Sequence, residues 1–569
     1  MDFGRELYIP WQISSGKILY KDIAHVFGPL SSYINASLFY LFGASYTVII
    51  IANIVFLALF LTVLYIFLEK VCSRRTAFLS CGVVISVFSF SQYTCIGNYN
   101  FISPYSHEAT HGILLSLLMI YQLWRFTTNK CKRNLILAGS IFGLIFLTKV
   151  DILISALMVA CFFFILNWLY YKNFQSTSKS AGIFLACSCI PVSFFFVYFA
   201  SVMPIHNALR AMCGSWIFLM ETPGVAKNKF YIQGMGFDHP IKNLLKMIFS
   251  SFVIITNVVG ISFLCHSFQR HKDNVVFKVC IYMAYLTVIV SLIFVNSYEA
   301  VHALPMLSFA AFLFLFYSYC KSLKRDREKA GDLIPMLLWS VLSLCLLWKM
   351  ILFCRLFHYG FYLALPSVVL LICILVSYLP EWFDKKLSGS SIFRMVMSVI
   401  IILFPIGYIR TCNKIYDSKT FPVGSGGNRI MTFCPETDPR GPLTARAIEW
   451  IHSNLNEKET VVVLPEGVMI NYLTRRVNPT PYINITVPEM LIFGEDTMLD
   501  AFRKHSPDYF VIVHKDTSEY GVGYFGQDPG YGKRIMHWIN EYYSPVCLFG
   551  EEPLRGNQFG IKILKRRKG

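Results

Sequence analysis

Long apolar runs separated by short polar loops fill the first 410 or so positions. Runs of about 20 residues are enough to cross a hydrocarbon core of roughly 30 Å. They recur at 45–69, 77–95, 109–127, 134–149, 152–171, 182–203, 246–266, 276–295, 301–319, 334–352, 360–379 and 394–411. The pattern predicts twelve spanning helices in a membrane domain covering 1–411. The period then changes. Residues 412–440, rich in Gly, Pro, Thr and Asp, read as a linker. Beyond it, TVVVLP (460–465) and YFVIVHK (509–515) are β-branched runs bounded by turn signals, and FGIKILK (559–565) alternates as a strand does. LTARAIEWIHSNL (443–455) and YGKRIMHWINEYY (531–543) carry helical apolar spacing. The expected fold is an α-helical polytopic membrane protein with an α/β domain over 441–569. No internal repeat or long low-complexity segment is visible.

Composition sharpens this reading. With 55% hydrophobic and only 15% charged residues in 569, the chain is too apolar for a soluble protein of its size. The N-terminus MDFGRELYIPW lacks the basic-then-apolar layout of a cleavable signal. The seventeen cysteines are scattered, many within apolar runs, and form no disulfide framework or zinc ribbon.

The formal charge of +18 points away from nucleic acid because of where the charges sit. Alternate loops carry them: Lys70, Arg74 and Arg75; Arg125, Lys130, Lys132 and Arg133; Lys172 and Lys179; Arg270, Lys272 and Lys278; KSLKRDREK at 321–329; and Lys385, Lys386 and Arg394. The loops 95–108 and 296–302 carry no Lys or Arg. This is the positive-inside pattern, so the charged side is expected to be cytoplasmic. Residues 1–44, 95–108, the hairpin 149–151, the loop 204–245 and the tail after 411 are then expected outside.

One outer segment carries a metal-site signature. SHEATHG (106–112) contains His107, Glu108 and His111 in H-E-x-x-H spacing, which on a helix can present two imidazoles to zinc beside a general base. A peptidase of this kind needs a third ligand and an open water position. The acids on the same side, Asp151 and Glu299, stand in contexts (TKVDI, NSYEAV) unlike a ligand motif. Pro104 and Ser106 place the motif in the first turn of a helix rather than at mid-helix. Three readings stay open: an intramembrane zinc metallopeptidase, a plain helix cap at the interface, and an outer-loop acid with another task. A non-catalytic lipid or glycan transporter is a further alternative. It would place charges deep within spans, whereas here they sit at span edges.

The segment MDFGRELYIPWQISSGKILYKDIAHVFGPLSSYINASLFYLFG resembles the first outer loop of GT-C membrane glycosyltransferases that use polyprenyl-phosphate sugars. Protein mannosyltransferases (glycosyltransferase family 39) and the lipid A aminoarabinose transferases belong to that superfamily. The resemblance rests on Asp2, GKILYKD (16–22), GPL (28–30) and LFG (41–43). NYNFISPYSHEATHG (98–112) is similar to the family's second outer loop, and FLTKVDILIS (146–155) to a Thr-Lys hairpin of bacterial members. The likeness implies a thirteenth helix ahead of Asp2 and therefore a shortened start.

It also implies sugar transfer from a polyprenyl-phosphate carrier to a hydroxyl of a lipid, glycan or protein acceptor, at the outer face of what is expected to be a bacterial plasma membrane. Asp2 matches the family's first acid and is the expected general base, with Glu6 as its substitute. Glu108 matches the second acid. Arg5, Lys17, Lys21, Lys149 and His302 are the expected phosphate-side residues, with His107 and Asp151 beside them. His111 reads as a packed core histidine, and Arg210 in the loop 204–245 as a further cation. A divalent metal bridging Glu108, with His107, and the carrier phosphate is an open alternative.

Overall fold

A computed structural model describes residues 3–567, apart from 215, 217–219, 221, 223, 225–227, 271–299, 385–388 and 528–530. Asp2, Glu299 and the expected span 276–295 lie outside the described residues.

Among the described residues, eight helical segments are long and apolar enough to cross a membrane: Tyr46–Val71, Val150–Tyr171, Phe174–Val202, Lys229–Arg270, Val301–Arg325, Arg327–Met350, Gly360–Asp384 and Ser390–Asp417. The expected spans at 77–95, 109–127 and 134–149 are helical too, but less regular. The first is a helix Arg74–Val83 continued by a π-helix Val84–Ser89, so it ends earlier than its apolar run. The second is the helix His107–Asn129, whose first turns are polar, and the third is the 15-residue helix Lys132–Phe146. The chain is an integral membrane protein.

Local chemistry sets the helix ends. Ser45, Ser73 and Asn173 accept hydrogen bonds from the backbone N–H groups of Val48, Thr76 and Ser176, capping helices that start just past a loop. Lys130 and Lys172 end helices in the left-handed region, each at φ 54°.

Described parts of the segments expected outside contact one another. The helices α1 (Gly4–Ser14) and α2 (Leu30–Phe42) precede the first described span. The backbone of residues 28–30 is bound to the hairpin at 147–148: Gly28 N–H donates to Thr148 C=O at 2.7 Å, and Leu30 N–H to Leu147 C=O at 3.0 Å. A Cβ at position 28 would stand 2.2 Å from the Leu147 carbonyl oxygen, so only glycine permits this approach. Phe230, in the loop 204–245, packs against Tyr520 of the tail at 5.7 Å between ring centroids.

The tail folds around a four-stranded sheet of order β3-β4-β6-β5: β3 Val461–Leu464, β4 Tyr509–Val513, β5 Tyr543–Gly550 and β6 Gly560–Arg566. β3 and β4 are parallel; the other pairs are antiparallel. The period-2 alternation sorts side chains to two cores. Val461, Val463, Val511 and Ile563 pack with helix Arg440–Asn454, and Val462, Leu464, Phe510 and Ile512 with helices Glu495–Lys504 and Lys533–Tyr542. The strands expected from TVVVLP, YFVIVHK and FGIKILK are β3, β4 and β6. The strand β5 follows helix Lys533–Tyr542 directly, and a hairpin of β1 (Phe421–Val423) and β2 (Ile430–Thr432) stands where the sequence reads as linker.

Helix α1 is bound to this tail rather than to the spans alone. Phe3, Leu7 and Tyr8 share a core with Val468, Met469 and Tyr472. A Cβ on Gly4 would come within 2.3 Å of the Met469 backbone nitrogen. Tyr8 Oη accepts the Asn478 N–H at 2.9 Å, and the Ala24 N–H donates to the Pro481 carbonyl at 2.9 Å. Arg475 donates to the Ala44 carbonyl at 2.6 Å and lies over the Trp11 and Tyr472 rings.

Candidate active site

The site forms where α1, the loop 20–30, the start of helix His107–Asn129 and the hairpin 147–150 meet. The loop is built by the GKILYKD stretch. Asp22 Oδ2 accepts the Ile18 N–H at 2.8 Å, and Tyr20 Oη donates to the Phe27 carbonyl at 2.6 Å. These bonds turn His25 and Phe27 inward, and the GPL turn then holds Phe27 against the hairpin.

Phe27 is the centre of the arrangement. Its ring lies 5.1 Å from the Arg5 guanidinium and 5.1 Å from Lys149 Nζ. Arg5 is also 5.2 Å from the Tyr105 ring, donates to the Tyr105 carbonyl at 3.2 Å, and pairs with Glu6 Oε1 at 3.2 Å. Lys149 is caged by Phe27, Tyr359 at 5.8 Å and Tyr362 at 5.2 Å, and reaches Tyr362 Oη at 3.5 Å. Each of the two cations is only 8% exposed. Among the described residues no carboxylate lies within ion-pair distance of Lys149. Asp151, its expected neutraliser, instead binds Lys349 Nζ at 3.0 Å and accepts the Tyr362 hydroxyl at 2.7 Å. Cation–π contacts contribute about 0.5–2 kcal/mol each. A buried ammonium that meets rings and a hydroxyl, with Asp151 on the far side of that hydroxyl, is thus left without a direct ion pair among the described residues.

Two carboxylates flank the cations. Glu6 is fully engaged. Oε1 takes Arg5, while Oε2 accepts the backbone N–H of His107 at 3.1 Å and meets His107 Nδ1 at 2.5 Å. His107 Nε2 faces Asn53 Nδ2 at 3.2 Å, which assigns its proton to Nδ1. Glu108, 2% exposed, accepts the Ser106 hydroxyl on Oε2 at 2.5 Å, and its Oε1 lies 3.6 Å from His25 Nε2.

The H-E-x-x-H imidazoles do not converge on a shared point. His107 has both nitrogens engaged, and His111 turns Nδ1 to Ser31 at 3.0 Å while its ring packs on Phe56 at 4.4 Å. Among the described residues no group of three or more His, Cys, Asp and Glu side chains is arranged to hold a metal ion. Among the described residues this donor set does not form a zinc site of the H-E-x-x-H kind.

The structure brings together Arg5, Glu6, His107, Glu108 and Lys149, with Asp151 joined through Tyr362. It leaves others apart. Lys17 is exposed, and Lys21 is exposed with Nζ on the Val202 carbonyl at 3.0 Å. His302 packs near Phe353 at 5.9 Å, and Arg210 is exposed on the helix Ile205–Met212. His25, Phe27, Tyr105, Tyr359 and Tyr362 belong to the site without any sequence motif announcing them.

Residues 27–195 match the family model of dolichyl-phosphate-mannose-protein mannosyltransferases. No curated protein matches the chain. Among solved structures, the chain is similar to ArnT from Cupriavidus metallidurans bound to undecaprenyl phosphate, with 10% identity, a TM-score of 0.49, and coverage of 99% of this chain and 93% of that one. It is also similar to the apo oligosaccharyltransferase of Archaeoglobus fulgidus, with 14% identity, a TM-score of 0.46 and coverage of 90% of this chain; it spans 65% of that chain's length. The family match covers the segment carrying Phe27, Glu108 and Lys149.

Proposed function

We propose that the chain transfers a sugar from a polyprenyl-phosphate carrier to an acceptor hydroxyl at the extracytoplasmic face of a bacterial plasma membrane. The observation that carries this reading is the pair of buried cations, Arg5 and Lys149, converging on Phe27 beside the buried carboxylate of Glu108. The donor in the matched family's name is dolichyl-phosphate mannose, a sugar on a lipid phosphate. Such a donor brings the direct ionic partner that Lys149 lacks among the described residues.

In this reading the acceptor oxygen bonds to the anomeric carbon as the bond from that carbon to the phosphate oxygen breaks. The electron pair leaves with the phosphate, where Lys149 and Arg5 offset the growing charge. The hydroxyl proton passes to Glu108, whose Oε1 faces His25 rather than a fixed donor at hydrogen-bond distance. Glu6, saturated by Arg5 and His107, is a positioning residue. Asp2 stays as the second candidate base, on the resemblance of its sequence context alone. The positive-inside pattern supports the outer location of the site and of the C-terminal domain.

The test is turnover and binding with a panel of radiolabelled polyprenyl-phosphate hexoses and pentoses. It uses the full chain in detergent, with wild type beside Glu108→Gln and Lys149→Met. Transfer in wild type, lost in Glu108→Gln with donor still bound, and donor binding lost in Lys149→Met, is the expected result. A wild type that binds no donor, or variants that bind and turn over as well as it does, would sink the proposal.

A further inference from the structure

A cleft opens beside the cations, between the loop residues 24–26 and the tail residues 482–493. It is lined by Arg5, His25, Tyr482, Asn484, Glu489 and Phe493 among others. Two polar atoms in this lining, His25 Nε2 and Asn484 Oδ1, are buried with no hydrogen-bond partner among the described residues; the first lies 3.6 Å from Glu108 Oε1, just beyond hydrogen-bond distance. His25 is 7% exposed. Leaving a buried polar group unpaired costs about 1–3 kcal/mol, and two orphans on one cleft call for a ligand that serves both.

We propose that this cleft is the acceptor subsite and that it takes a neutral sugar through two of its hydroxyls. The proposal rests on the transfer reading above. One hydroxyl bridges His25 and Glu108 from the side of their contact: it receives the Nε2–H and gives its own proton toward Oε1, which lies 3.6 Å from that nitrogen. The acceptor oxygen is thereby held beside the base and within the layer that contains Arg5. A second hydroxyl of the same sugar donates to Asn484 Oδ1.

Three features favour a sugar over other alcohols. Tyr482 and Phe493 stand as a tilted ring pair, 5.4 Å between centroids, offering an apolar platform of the kind that meets the C–H face of a pyranose. The charges in the lining, Arg5 and Glu489, are of opposite sign and so favour a neutral ligand. The free volume is about 20 Å³, more than the roughly 10–15 Å³ a water-sized group requires, and too little for a ring. Hydroxyls therefore enter while the ring stays at the mouth on the two aromatics. The tail supplies Asn484, Tyr482 and Phe493, so the C-terminal domain selects the acceptor while the membrane loops hold the donor phosphate.

Saturation-transfer NMR on the full chain in detergent tests this, with methyl hexopyranosides and a serine-containing peptide as probes. The ring protons of at least one glycoside are expected to receive saturation from wild type. The apparent affinity should fall about tenfold, the worth of one good hydrogen bond, in Asn484→Ala. It should recover in Asn484→Asp, which keeps an acceptor oxygen, and this recovery separates a lost contact from a lost fold. Polyprenyl phosphate should bind wild type and Asn484→Ala alike. The proposal is overturned if no glycoside binds, if Asn484→Ala binds as wild type does, or if the peptide binds in place of the glycosides. If glycosides bind as expected and polyprenyl phosphate does not, the transfer reading falls and the sugar subsite stands.

Discussion

Glu6 and His107, a hundred residues apart in the chain, are joined twice: one carboxylate oxygen accepts the His107 backbone N–H at 3.1 Å and meets its ring Nδ1 at 2.5 Å. The contact fixes α1 against the first turn of the helix that carries Glu108. His107→Ala removes one buried hydrogen bond from Glu6, which keeps Arg5 and the backbone N–H, a change that costs about 1–3 kcal/mol. We expect a lower melting temperature and weaker turnover for His107→Ala, with no change in the metal content of the purified protein. Metal analysis showing zinc in wild type and its loss in this variant would restore the peptidase reading.

Gly28 offers a test that touches no charged group. Its substitution by alanine places a Cβ 2.2 Å from the Leu147 carbonyl oxygen, so the loop must lift off the hairpin. Overpacking of this kind costs about 1–3 kcal/mol, and Phe27 moves with the backbone. Gly28→Ala should weaken polyprenyl-phosphate binding by about tenfold or more while the protein still purifies as a folded monodisperse species. Unchanged donor binding would show that Phe27 does not depend on this clamp.

The aromatic cage distinguishes lysine from arginine at position 149. The ammonium is compact, whereas a guanidinium is planar and larger. Lys149→Arg keeps the charge yet should bind donor less well than wild type, and Lys149→Met should bind least. Phe27→Leu should fall between wild type and Lys149→Met. Equal donor affinity for Lys149→Met and wild type would remove Lys149 from the phosphate site.

The C-terminal domain carries its own pH signature. Burial holds the His514 imidazole below its ordinary value of 6.5, and its Nδ1 accepts the Leu554 N–H at 3.2 Å. A histidine with a depressed folded-state pKa contributes stability above its unfolded pKa and loses it as pH falls through 6.5 toward the folded value. Thermal melts should therefore show a drop in stability below about pH 6.5. His514→Asn, whose amide oxygen can accept the same N–H without titrating, should flatten that slope. A slope unchanged in His514→Asn would assign it elsewhere.

Much of this arrangement could be read from the sequence, and the reasons differ by element. The sidedness of the loops is an expectation from where Lys and Arg fall; the structure brings described parts of residues 1–44, 95–108, the hairpin at 147–150 and the tail into contact with one another. Strands β3, β4 and β6 were legible because their apolar runs are short and bounded. Strand β5, SPVCLFG after a tyrosine pair, was not, since Pro545 and the mixed burial of an edge strand hide its period. In the site, Lys149 stood out as an ionisable group at a membrane edge, and Glu108 through its H-E-x-x-H spacing and the resemblance of its loop. The partnership of Asp151 with Lys349 came from 198 residues away, and no spacing encodes it. His25 was missed because a single histidine in DIAHVFGPL matches no motif; its significance arises only when Glu108 and Asn484 close around it.

The junction of α1 with the tail has a practical corollary for anyone dissecting the protein. Val468, Met469 and Tyr472 are buried, and the core they share is supplied largely from residues 3–49. A fragment cut at residue 441 would present these side chains to water as a greasy scar. It should aggregate unless the opening segment is supplied in trans. This junction is thus a clasp whose two halves come from opposite ends of the primary structure, and a break in either half exposes the core of the other.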